Sequence, residues 1–172
     1  MNEAGAPLQF LRGLMFVKAL GTAAVVAIVL PPAAAVAAPR HTYVIAHVSA
    51  KHGWQNMRLR LGGRGILRFK ARGTWVFNPS QPPVGGNGAA NLSTAARSNY
   101  TFSGPTGREG QLIGRIGDAA PFVAGADGIH TVRPNEIGRL KLMINDDYSG
   151  AVGNGLADNR GRLRVRIGYA RR

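Results

Sequence analysis

Four short runs in this chain alternate an apolar residue with a polar or basic one. They are MRLRL at Met57–Leu61, ILRFKA at Ile66–Ala71, RLKLMIN at Arg139–Asn145 and RLRVRIG at Arg162–Gly168. A pleated strand sends successive side chains to opposite faces, so a period of two puts one set in a core and the other in water. Arg58, Arg60, Arg68, Lys70, Arg139, Lys141, Arg162, Arg164 and Arg166 form the wet set. TYVIAHVSA at Thr42–Ala50 is a further β-rich run, and weaker strands fit around Thr74–Phe77, Asn99–Ser103, Gln111–Ile116 and His130–Arg133. Beyond residue 38 no stretch holds a 3.6-residue apolar period for three turns. Roughly eight short strands, joined by segments rich in Gly, Asn and Pro, imply an all-β fold, a jelly-roll β-sandwich.

The first 37 residues read differently. Arg12 and Lys18 lead into an uncharged, mostly apolar run at Ala19–Leu30, and small residues follow up to Ala35-Val36-Ala37. That is the three-part layout of a signal-peptide helix with an Ala-x-Ala cleavage pattern. A retained anchor is the rival reading, and Pro31-Pro32 would break its helix. The expectation is a signal peptide at 1–37, one domain at 38–172, and a secreted or periplasmic product. The chain has no cysteine, and a domain of about 135 residues does not require disulfides. Residues 78–98, NPSQPPVGGNGAANLSTAARS, have the composition of a mobile loop.

Charge bears on partners. The chain carries 22 Lys and Arg against 8 Asp and Glu. Cleavage after Ala37 leaves 20 against 7, a net of +13, which favours acidic glycans, lipid headgroups or other polyanions as neighbours. Against that background, three of the seven acids fall within 146–158. Asp146, Asp147, Asn154, Asp158 and Asn159 offer oxygen ligands of the kind calcium takes, and the segment holds no His or Cys to suit zinc or copper. An EF-hand is excluded, because its closing Glu position would fall on Ala157. The spacing alone admits two readings, a calcium site or a long hairpin loop whose Asp and Asn make Asx-turns.

Several motifs in order bear on that choice. LIGRIGD at 112–118, GRLKLMIND at 138–146 and DNRG at 158–161, with RGTW at 72–75 and GPTG at 104–107, resemble the PA-IL-like (LecA-type) bacterial lectins over most of residues 43–168. The resemblance implies a galactose-binding-domain-like jelly roll with one Ca2+ that itself binds two sugar hydroxyls. It implies that Asp146 chelates the ion, that Asp158 and Asn159 offer side-chain oxygens to ion and sugar, and that two backbone carbonyls join the set, that of Phe77 from a facing loop and another from within Tyr148–Ala157. Asp146, Asp147, Tyr148, Asp158 and Asn159 are then the sugar-binding candidates. The lectins' His- and Gln-bearing loop has no counterpart, since only Arg108-Glu109-Gly110 follows Gly107. The implied ligand is therefore carbohydrate, a galactoside or another glycan.

Nothing argues for an enzyme. There is no Gly-x-Ser-x-Gly, His-Glu-x-x-His or P-loop, and Glu109 and Glu136 make a glycosidase pair only if the fold brings them together. His41, His47, His52 and His130 read as surface or core residues, and Trp54 and Trp75 as core. The expected function is calcium-dependent carbohydrate binding. The alternative is a cationic envelope protein that binds anionic polymers through its Arg and Lys faces, with no specific nucleic acid. A homo-oligomer is left open.

Overall fold

A computed structural model describes residues 41–148 and 154–172, so the expected signal peptide lies outside the described residues. The described part is all-β. Its strands are β1 (His41–Ser49), β2 (Gln55–Gly62), β3 (Gly65–Arg72), β4 (Trp75–Val76), β5 (Gln111–Ile116), β6 (Phe122–Val123), β7 (Ile129–Val132), β8 (Ile137–Asn145) and β9 (Arg160–Arg171). Among the described residues the helical content is one 3-10 turn, Gly155–Ala157.

Two antiparallel sheets result. The first runs β1-β9-β3-β7, with β4 also paired to β9, and the second runs β2-β8-β5-β6. Leaving β4 aside, the first strand pairs with the last, the second with the next to last, and so inward: β1 with β9, β2 with β8, β3 with β7, β5 with β6. The chain is one long antiparallel ribbon folded over on itself.

The period of two does what the sequence implies. Met57, Leu59 and Leu61 of β2 and Leu140 and Leu142 of β8 enter one core with Leu67, Phe69, Leu163, Val165 and Ile167 from the first sheet. Deleting one such side chain to Ala costs about 2–5 kcal/mol. On the other faces the expected basic set lies in water, apart from half-buried Lys141, whose amino group is 3.6 Å from the Asp118 carboxylate. Trp75 is a core residue, 1% exposed, and its Nε1 donates to the Gly110 carbonyl at 2.7 Å. Trp54 is not; it lies half-buried outside the core, with the Arg115 guanidinium 4.6 Å from its ring centre.

Residues 78–98 form no named strand or helix. They are tied down all the same. Ala89 N–H donates to Glu109, Thr94 N–H to Gly107, and Leu92 accepts from Glu109. Thr94 is fully buried. The strand expected at Asn99–Ser103 is absent, because its polar groups go to a side chain. Asn145, 0% exposed, accepts from the Phe102 N–H at 2.9 Å and donates to the Phe102 carbonyl at 3.0 Å. The same amide donates to the Arg108 carbonyl at 3.1 Å and the Thr94 hydroxyl at 3.2 Å.

Removing that amide strands several buried groups, each at a cost of about 1–3 kcal/mol. Asn145→Ala is therefore expected to lower unfolding free energy by about 3 kcal/mol or more in urea denaturation. A loss near zero would show that these loops do not depend on the amide.

Candidate functional site

The acidic segment is not a hairpin loop. A hairpin would pair β8 with β9, yet β8 pairs with β2 and β5 in one sheet while β9 pairs with β1, β3 and β4 in the other. Asp146 and Asp147 follow the last residue of β8, and Asp158 and Asn159 precede the first of β9. The carboxylates therefore gather where the chain crosses from sheet to sheet. Burial comes from both layers there: Asp146 is 6% exposed, Asp147 1% and Asn159 0%, with Asp158 half-buried.

Three of the candidates meet. Asp146 Oδ2 accepts from Asn159 Nδ2 at 2.8 Å, and its Oδ1 accepts from the Asp147 N–H at 2.7 Å. Asn159 Nδ2 also lies 3.3 Å from the Ala50 carbonyl. With acceptors on both sides the amide nitrogen must face them, which leaves Asn159 Oδ1 buried without a hydrogen-bond partner. Burial is the main cause that lifts the Asp146 carboxyl to about 6. The Asn159 and Asp147 donors pull it down, and the charges of Asp158 and Glu109 push it up again.

The strand partner of this crossover bears on Phe77. Trp75 pairs with Gly161 and Val76 with Arg160, and the ladder ends there, so Phe77 and Asn159 are the next residues beyond it on the two chains. The close approach needs Gly161: its φ is +90°, and a Cβ there would sit 2.8 Å from the Thr74 carbonyl oxygen. Tyr148 is 60% exposed, and its ring lies where a Cβ on Gly53 would be.

Glu109 was not among the metal or sugar candidates, yet it belongs to this neighbourhood. It is 8% exposed, and Arg97 Nη1 donates to its Oε1 at 2.6 Å. Burial and then a hydrogen bond with Glu109 drive the Tyr100 hydroxyl well above its usual range, and Tyr100 bridges to Asp147. No local pattern marks Glu109, because its neighbours come from the 78–110 segment and the end of β8. The fold does not bring Glu109 and Glu136 together. Glu136 precedes β8, bound to the Arg133 N–H and His130, while Gly110 is held to Asn145 at the far end. A nine-residue strand separates them by about 30 Å, against roughly 5–10 Å for a glycosidase pair.

The donor set fits a hard cation only as a mixture. Among the described residues no group of three or more His, Cys, Asp or Glu gathers to hold a metal. Asp146, Asp158 and the free Asn159 Oδ1 are the carboxylate-plus-neutral oxygen chemistry that calcium uses. No protein-family model matches the chain, and no curated protein matches it. The likeness to the PA-IL-like lectins thus rests on its short motifs alone.

The Asp146 carboxyl also sets a sign. Its pKa is raised on folding from 3.8 to about 6, so the folded state holds the proton more tightly than the unfolded chain. With chelator present, this group's contribution is expected to lower stability by about 3 kcal/mol as pH rises from about 4 to above 6. Asp146→Asn should remove that part of the slope in denaturation curves taken across the range. An unchanged slope would place the carboxyl in water.

Proposed function

We propose that this chain is an exported, calcium-dependent carbohydrate-binding protein with a jelly-roll sandwich fold. The strand pairing of first with last, moving inward, supports the jelly roll, since that wrap is what two interleaved Greek keys produce. The observation that carries the functional reading is the buried, unpartnered Oδ1 of Asn159 beside the buried carboxylate of Asp146. A buried acceptor without a donor costs about 1–3 kcal/mol. A buried carboxylate resists ionising, and Asp158 and Glu109 add to that resistance. A divalent cation, when bound, answers both costs and offers its remaining positions to sugar hydroxyls.

The chain's own residues then have distinct tasks. Asp146 and Asp158 supply charge, Asn159 a neutral oxygen, and the Phe77 carbonyl, one residue past the β4–β9 ladder, a further one. Asp147 lies buried beneath them. Tyr148, exposed at the rim, presents an apolar ring face of the kind that packs on a sugar.

Calcium is expected to raise the melting temperature of the full chain in the range typical of extracellular sites, Kd about 10⁻⁴–10⁻³ M. Asp146→Ala should abolish that rise. Tyr148→Ala should keep the rise yet weaken binding on a glycan array, where all signal should vanish with chelator. A calcium response that survives Asp146→Ala would end this reading, and glycan binding that ignores chelator would end it too.

A further inference from the structure

The outer face of the first sheet lies apart from the acidic crossover and has its own character. Arg162, Arg164 and Arg166 of β9 point outward beside Arg68, Lys70 and Arg72 of β3. The register sets Lys70 directly opposite Arg166, and Arg72 opposite Arg164. Like charges facing across a ladder destabilise it. Nothing in the packing requires them, because any polar side chain satisfies the wet face. Asp127 answers one of them, with its carboxylate 3.5 Å from Arg72 and both side chains largely in water.

Exposed apolar groups border these cations. Tyr43 is 61% exposed, Ile45 56% and Ile129 59%, on the edge strands β1 and β7. Ile45 stands in the row of Arg166 and Lys70, and Tyr43 in the row of Gly168, Arg68 and Ile129. Three of the five large apolar side chains exposed among the described residues thus frame one cationic ladder. Between the edges runs a shallow groove of about 390 Å³, with Tyr43, Arg68, Lys70, Ile129, Arg166 and Gly168 among its lining.

We propose that this face docks on an anionic lipid bilayer. Charge alone would suit any polyanion. A soluble polymer of phosphates or carboxylates, however, has no use for Ile45 and Ile129, whereas a bilayer surface buries such side chains at the level of its headgroups. Base stacking is disfavoured by the aromatic present: the Tyr43 ring lies against Gly168, 3.1 Å from where a Cβ would be, and the Arg166 guanidinium is 4.9 Å from its centre. Cations in the middle and aliphatic side chains at the margins match anionic headgroups backed by hydrocarbon.

The test is sedimentation of the full chain with phosphatidylcholine vesicles, with and without phosphatidylserine, in chelator so that the crossover site plays no part. The readout is the ratio of binding to the two vesicle types, which cancels any contribution from the apolar run at residues 19–30. Anionic vesicles are expected to win, and added salt should erode the difference. Lys70→Gln with Arg164→Gln takes one cation from each opposed pair, so the fold is not weakened, and each charge removed should lower the ratio roughly fivefold. Ile45→Ser with Ile129→Ser should lower the fraction bound to anionic vesicles relative to the native chain while leaving retention on heparin unchanged, and an unaltered melting temperature for both double variants will show that they fold. A ratio near one for the native chain overturns the proposal. An isoleucine variant that sediments like the native chain, with heparin competing fully, also overturns it and makes the face a polymer site.

Discussion

One buried amide organises the end of the molecule where the acids gather. Asn145 is the last residue of β8, and its side chain meets both backbone groups of Phe102, the Arg108 carbonyl and the Thr94 hydroxyl. A primary amide has two N–H groups, so its three acceptors share them, and here the side chain stands in for a strand's ladder bonds. The 78–110 segment has little regular structure to hold it in place. Its attachment to the sandwich passes through this contact and a few backbone bonds, among them Gly110 N–H to the Asn145 carbonyl. The next residue in the chain is Asp146. Its burial is the main cause of the rise in its pKa.

The two faces of chemical interest share a cause in the same topology. Folding a long ribbon so that first meets last puts β8 and β9 in different sheets. The connection between them crosses from one layer to the other, and Asp146, Asp147 and Asn159 at its described ends are buried. An acid on an ordinary hairpin would sit in water; at this crossing it is enclosed. The same wrap makes β9 a central strand, flanked by β1 and β3. Two of its arginines, Arg164 and Arg166, thereby face Arg72 and Lys70 of β3 across the ladder, and the repulsion between them is built into the register.

Much of the fold was legible because strand periodicity is a local property. The limits of β5, expected at Gln111–Ile116, agree with the structure, and the four alternating runs lie in β2, β3, β8 and β9. Local pattern failed where a side chain replaced a ladder. Asn99–Ser103 has strand-like composition, but its hydrogen bonds go to Asn145. The two-residue strand β6, Phe122–Val123, is too short to show any period. At the candidate site, the density of oxygen ligands pointed to 145–159 and the family resemblance to Asp146, Asp158 and Asn159. The fold brings Asp146 and Asn159 into contact, with Asp158 near enough for its charge to act on Asp146. Glu109 was weighed only as a partner for Glu136, and Arg97 and Tyr100 not at all, because only tertiary packing makes the three neighbours.

What the sequence settles by itself is which residues alternate. That fixes two-faced strands, an apolar interior and a basic exterior, because side-chain direction along a strand depends on nothing beyond the backbone. It also settles that acids are scarce and that three of the seven beyond residue 37 stand within 146–158. Tertiary structure decided how much each charge matters. Whether Asp146 meets water or a buried amide, and whether Lys70 faces an acid or Arg166, depends on which strands are neighbours and in what register. Those are choices among long-range pairings of nearly equal local preference. They are resolved only when the whole ribbon closes on its core.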